Sequence, residues 1–210
     1  MGKGFVIGLT GGLGTGKTSV ALILQALGLK MISADHIGHQ LLKPGTDVYE
    51  RVKAAFGPEI LRGDGQIDRT ALGKIVFQDP AERQRLNTLT HPAIIARIKA
   101  EVEELRRRGE DVVVEIPLFF EAKMTKEEAG VDEVWVVATS PATQLARVMA
   151  RDGVDQEEAR RRMAAQLSLG EKVDRADVVV YNEGKQAELK KEVQKLLMAR
   201  KRAHKNPFDA

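Results

Sequence analysis

Apolar residues gather along the chain into short continuous runs separated by longer stretches with helical periodicity. Phe5–Thr10 is a short apolar run that ends in a glycine cluster, the pattern of a buried strand. Lys30–Ser33 predicts a second short strand. Asp111 opens the β-branched run Val112-Val113-Val114-Glu115-Ile116, which Pro117 closes. Val134-Trp135-Val136-Val137-Ala138 and Val178-Val179-Val180-Tyr181 predict two more strands. Four of the five runs lack strict alternation, as expected of strands covered on both faces. Helical stretches lie between them, which argues for βαβ units and a mostly parallel sheet.

The helices carry their own start signals. Ser19–Leu27 is helical in pattern and stops at Gly28. Asp79-Pro80-Ala81-Glu82 offers a cap, a proline at the first helical position and a glutamate spaced for a capping box, and Asp155 to Glu158 repeats that spacing. Ser140-Pro141 and His91-Pro92 read as further helix entries. After Pro92, the residues Ile94, Ile95, Ile98, Val102 and Leu105 draw one apolar stripe that ends in Arg106-Arg107-Arg108-Gly109. Residues 36–110 are mainly helical, far more than one crossover needs, and predict an inserted helical subdomain that carries substrate contacts.

Composition narrows the class. The chain has 210 residues, no cysteine, 43% hydrophobic and 30% charged residues. That is one domain, or one with a large insertion, and wholesale disorder is excluded. No run of about 18 apolar residues occurs, so no membrane span is expected. The start, MGKGFVIGLTGG, runs into glycines where a cleavage site would fall, which argues against a secretory signal. The absence of cysteine excludes disulfides, Cys-zinc sites and thiol catalysis, and fits the cytoplasm. The net charge of +3 is uneven, because residues 185–205 hold eight Lys/Arg against two Glu. A nucleic-acid tail is one reading. A solvated amphipathic helix is the plainer one, since Leu189, Val193, Leu196 and Leu197 recur at helical spacing and no aromatic residue is there to stack on bases.

The sharpest signal is Gly11-Gly12-Leu13-Gly14-Thr15-Gly16-Lys17-Thr18, a complete G-x-x-x-x-G-K-[ST] with a strand before it and a helix after it. Such a loop points backbone N–H groups into one concavity at a helix N-terminus. Lys17 then reaches the β/γ-phosphates and Thr18 ligates Mg²⁺. Three classes share the loop: a small-molecule kinase, a GTPase switch, and an ATPase or nucleotide-sensing module. Asp35-His36-Ile37-Gly38 imitates the D-x-x-G of GTPases, but it follows Thr18 closely and no Asn-Lys-x-Asp segment exists.

A kinase needs a carboxylate at the acceptor hydroxyl, cations on the migrating phosphoryl group and a cover against water. Asp35 stands just past the second strand, where a parallel sheet opens its ligand crevice; an N-cap for the following helix accounts for it as well. Arg147 and Arg151 are one turn apart on the helix after the fourth strand. Arg160, Arg161 and Arg162 follow in the polar segment 152–176, which reads as a mobile lid or, equally, as a surface helix with its arginines paired to Glu157 and Glu158.

The ordered set of segments resembles the dephospho-CoA kinase family over nearly the whole chain. Ile7 to Thr18 is similar to that family's first strand and phosphate loop, and Ile32-Ser33-Ala34-Asp35 to its Asp-Ala-Asp segment. Gln40 to Gly45, Asp68-Arg69 leading to Leu72 and Phe77, and Leu89-Thr90-His91-Pro92 resemble its inserted helices. Glu115 to Glu121, Gln144 to Arg147, Met149 to Arg151, Gln166, and Ala176 through Gly184 complete the match.

The resemblance implies an α/β, three-layer P-loop kinase fold, with a five-stranded parallel sheet and helices on both faces. Residues 1–35 and 111–210 would form the nucleotide-binding core, with a lid over about 152–176, and residues 36–110 the acceptor-binding insertion. It implies ATP and Mg²⁺, with dephospho-CoA as acceptor and neither nucleic acid nor membrane as partner. Nucleotide contacts would come from Gly12, Leu13, Gly14, Thr15, Gly16, Lys17, Thr18, Ser19, Arg151 and Asn182. Catalysis would rest on Asp35, Lys17 and Arg147, and the acceptor would meet Asp35, Arg69, His91 and Glu121. One departure stands out: Ser33 occupies the place of the family's first aspartate.

Overall fold

The structure, a computed structural model, describes residues 4–205. Residues 1–3, used above in the signal reading, and residues 206–210 at the end of the expected core lie outside the described residues. In chain order the first half holds β1 (Val6–Gly11), α1 (Lys17–Ala26), β2 (Lys30–Ser33), α2 (Ala34–Leu41), α3 (Asp47–Phe56), α4 (Arg69–Gln78) and α5 (Pro80–Arg107). The second half holds β3 (Val112–Glu115), α6 (Lys126–Ala129), β4 (Glu133–Ala138), α7 (Pro141–Asp152), α8 (Gln156–Ala164), α9 (Leu169–Asp174), β5 (Val178–Tyr181) and α10 (Gln186–Lys205).

All five strands pair in parallel, in the order β2-β3-β1-β4-β5. The register sets Leu9 and Ser33 on either side of Glu115, and Gly11 beside Val137. Alternate side chains explain the non-alternating sequence. Ile7, Leu9, Val113, Trp135, Val137, Val178 and Val180 join α1 and α10 in one core. Their neighbours Val6, Val112, Val114, Val134 and Val136 are equally buried on the opposite face. Helix α10 seats Leu189, Val193 and Leu197 in that first core, and Arg200 Nε donates to Glu133 at 2.8 Å. The basic C-terminal segment is therefore an amphipathic helix with its apolar side packed.

Contacts divide the chain into two compact units, one from residues up to Ser33 together with Glu101 onward, the other Ala34–Ala100. The second unit has its own core of Val48, Tyr49, Val52, Phe56, Ile60, Ile67 and Leu72. Its helices are capped locally. Thr46 accepts from the Tyr49 N–H at 3.1 Å, and Asp68 accepts from the N–H groups of Thr70 and Ala71 at 2.8 and 3.2 Å. Residues 101–110, expected in the insertion, group instead with the sheet. Val102 is buried, and Arg106 donates to the Gly4 carbonyl at 3.1 Å and to Asp132 at 2.5 Å.

Two helix boundaries differ from expectation. His91-Pro92 starts no helix, because α5 runs through Pro92 without a break. Leu86 and Leu89 before the proline and Ala93 after it pack on the same core, so both sides are anchored. At α8, Asp155 accepts from the Glu158 N–H at 2.9 Å, but Glu158 does not close the box. Its carboxylate is taken by Arg161 and, at 2.8 Å, by Arg162. Among the described residues no helix is long and apolar enough to cross a membrane.

Candidate functional site

The phosphate loop lies between the end of β1 and α1. Gly14 and Gly16 adopt positive φ of 74° and 87°, and both lie against neighbours that leave no room for a side chain. A Cβ on Gly16 would fall 2.2 Å from Asn182 Nδ2, and one on Gly14 would fall 2.8 Å from Val148 Cγ2. Gly16 occupies the N-cap of α1 without offering a side chain, and the first turn holds no acidic residue. The leading N–H groups and the positive end of the helix dipole are therefore presented outward, as an anion site requires.

Lys17 folds back over the loop. Its ammonium donates to the carbonyls of Gly12 at 2.9 Å and Gly11 at 3.3 Å. Thr18 Oγ1 lies 3.5 Å from Glu115 Oε1, so a hydroxyl and a carboxylate converge where β3 ends beside β1. Hard oxygen donors of this kind suit Mg²⁺. Among the described residues no cluster of three metal-ligating side chains exists, so any cation here would lean on phosphate oxygens and water as well. Glu115 is not among the site residues the sequence suggests, though it stands beside Thr18 here. An apolar run ending in an acid, on the strand beside the phosphate-loop strand, was the signal for it. Ser19 is exposed in the first turn of α1, its N–H spent on the Gly16 carbonyl at 3.0 Å.

The loop is clamped from outside by three side chains. Gln144 donates to the Leu13 carbonyl at 2.7 Å, and Gln166 accepts from the Leu13 N–H at 3.0 Å. Buried Asn182 donates to the Thr15 carbonyl at 2.9 Å. The side chain of Asn182 thus supports the loop. Arg147 donates to the Asn182 carbonyl at 3.0 Å, which sets its guanidinium next to Gly16.

Arg151 diverges from Arg147. It is exposed and forks onto Asp152 at 2.7 and 3.2 Å, while Asp152 also accepts from Arg162 at 3.1 Å. The hydrogen bond from Arg151, against a small burial cost, holds the Asp152 carboxyl below its ordinary range. Arg162 does the same for Glu158. The expected Arg151 contact is therefore occupied within an ion-pair group at the α7–α8 junction. Glu121 is also engaged within the protein: its Oε1 accepts from Lys172 at 2.6 Å and from the Leu167 N–H at 3.1 Å.

The second unit gathers a different set. Asp35 is exposed in the first turn of α2, one residue inside the helix rather than at its cap. Arg69 opens α4. Both act on His39: burial first and then the Arg69 charge lower its pKa, while Asp35 opposes them. His91 is half-buried on α5, and burial lowers its pKa too.

Fold and loop together define an α/β phosphate-loop protein of the nucleotide-binding class, and the comparisons make it an ATP-dependent kinase. The family model for dephospho-CoA kinase matches residues 5–188. The chain belongs to the dephospho-CoA kinase family. It is 48% identical to a dephospho-CoA kinase of Carboxydothermus hydrogenoformans, over 85% of this chain and 86% of that one. It is 44% identical to one of Geobacillus kaustophilus, over 91% and 94%. A solved dephospho-CoA kinase from Campylobacter jejuni superposes with a TM-score of 0.70 at 32% identity, covering 92% of this chain and 95% of that one.

Proposed function

We propose that this chain transfers the γ-phosphoryl group of ATP to the ribose 3′-hydroxyl of dephospho-CoA, giving CoA and ADP, in the cytoplasm. The observation that carries the reading is the clamped phosphate loop, with Lys17 held on its carbonyls and Thr18 beside Glu115. Lys17 exchanges two carbonyls for the β/γ-phosphates, a gain because charge-assisted bonds to an anion are the stronger ones. The N–H groups of Gly14, Gly16, Lys17 and Thr18 surround the β-phosphate, and Arg147 covers charge on the migrating group. Thr18, with Glu115 behind it, would hold Mg²⁺, which when bound neutralises phosphate charge.

Asp35 accepts the hydrogen bond and then the proton of the 3′-hydroxyl. A bond forms from that oxygen to the γ-phosphorus as the bond to the β–γ bridging oxygen breaks. Arg69 is the cation offered to the acceptor's phosphates, with His91 beside the same acceptor. Neutral His91 suits contact with an uncharged part of it. Segment 152–176 is the lid that excludes water.

The test is incubation with ATP, Mg²⁺ and a panel of hydroxyl acceptors. Rapid phosphorylation of dephospho-CoA alone is expected. Preference for a sugar acid or nucleoside, or tight ATP binding without transfer, would overturn the assignment.

A further inference from the structure

An ion pair behind the phosphate loop, buried at its lysine and largely buried at its glutamate, takes no part in the transfer just described. Lys172, on α9, has no solvent exposure. Its ammonium lies 2.6 Å from Glu121 Oε1 and 3.4 Å from the Gly11 carbonyl. That carbonyl is one of the two on which Lys17 rests. The same Glu121 oxygen accepts from the Leu167 N–H at 3.1 Å, and the adjacent Gln166 accepts from the Leu13 N–H at 3.0 Å. Residues 166–172 are therefore tied twice to the phosphate loop and twice to Glu121 in the segment after β3. Glu121 Oε2 is buried and finds no hydrogen-bond partner among the described residues.

A buried ion pair is a poor device for stability alone, because desolvation offsets most of its attraction. Here it fixes the root of the proposed lid against the one loop that must keep its shape while its lysine moves. We propose that Glu121 and Lys172 are positioning residues. The pair latches the lid root to the phosphate loop and holds the Gly11 carbonyl in place when Lys17 leaves it for ATP. Glu121 then acts through the loop, without touching the acceptor. The inference rests on the transfer reading above and deepens it.

The experiment compares wild type with E121Q, K172M, the double variant E121Q/K172M, and Q166A, which strands no charge. Kinetics with ATP and dephospho-CoA are combined with direct ATP binding, amide hydrogen exchange and urea unfolding. E121Q should lower kcat about tenfold or more and weaken ATP binding, with KM for dephospho-CoA within about twofold. Exchange at Leu13 and Leu167 should quicken. The double variant should regain stability, because neither ion is left unpaired, yet keep the kinetic defect, because the latch is still missing. Q166A should weaken ATP binding in the same direction, and carries the test if E121Q does not fold.

A double variant that regains kcat and ATP affinity together with its stability would make the pair merely structural and overturn the proposal. So would an E121Q enzyme with raised KM for dephospho-CoA and unchanged ATP binding. Should wild type fail to phosphorylate dephospho-CoA, the substrate reading falls, while ATP affinity and exchange still decide the latch.

Discussion

In the proposed transfer Lys17 serves the nucleotide and Asp35 the acceptor, so their variants should fail differently. Lys17 sits on the Gly12 and Gly11 carbonyls, which Thr15 Oγ1 and Lys172 also bond, and Gln144, Gln166 and Asn182 hold the loop independently of it. Lys17→Ala should therefore leave the fold intact and cut kcat/KM by about 100-fold or more, the loss expected for one preorganised charge at a transferring group. Asp35→Asn keeps size and polarity but loses the proton acceptor. It should lower kcat by about 100-fold with ATP affinity within about twofold. Initial rates with each substrate varied separate the two patterns, and an Asp35→Asn enzyme with ordinary turnover would falsify the role given to Asp35.

Among the elements, α5 departs furthest from what its sequence signals. Pro92 has no N–H to give the Thr88 carbonyl, and its ring crowds that turn. The helix continues because Leu86, Leu89 and Ala93 are all fixed in the core of the second unit. Thr88 and Thr90 turn their hydroxyls back onto the carbonyls of Gln84 and Leu86, each at 2.9 Å, in the turn before the proline. Tertiary packing has overridden a local stop signal. Pro92→Ala should restore the backbone bond and stabilise the protein by about 1 kcal/mol or more, read as a higher urea midpoint at unchanged slope. A lower midpoint would mean that the proline's local geometry is needed to seat Leu86 and Ala93 together. The strands, by contrast, were legible almost to the residue, because burial on both faces leaves β-branched runs that no helix period imitates. Legibility ended where contacts are long-range. Glu158 has the capping-box spacing but chooses Arg162. Glu121 enters the acceptor set by family resemblance alone, and nothing in its neighbourhood of the chain names Lys172 as its partner. The phosphate loop was readable because its chemistry is contiguous, whereas its clamps, Gln166 and Asn182, come from distant segments.

At the scale of the whole molecule, the two units differ in how they should respond to acid. Both histidines with lowered pKa, His39 and His91, belong to the unit Ala34–Ala100. Their folded values lie below the ordinary histidine value of 6.5, which the unfolded chain keeps. Between the two values the unfolded chain binds protons that the folded chain refuses, so stability is complete above 6.5 and is lost as pH falls through the folded values. For His91 the cause is burial alone, which disfavours the charged ring. For His39, burial is joined by the Arg69 charge and opposed by Asp35. Acid should consequently loosen the unit Ala34–Ala100 first, leaving the sheet of the other unit in place. Hydrogen exchange at about pH 7.5 and 5.5 should show opening in α3 and α4, around buried Tyr49 and Leu72, before any change in β1 and β4. Because His91→Gln removes one of the two groups, its urea midpoint should fall less between those pH values than that of wild type. Equal falls would assign the acid response to other groups, and earlier opening of β1 would refute the order of events. Asp35→Asn removes the charge that raises the pKa of His39, so it should move that histidine further down. The variant that slows transfer should thus also lower the pH at which His39 titrates, a shift that NMR of the imidazole protons would measure directly.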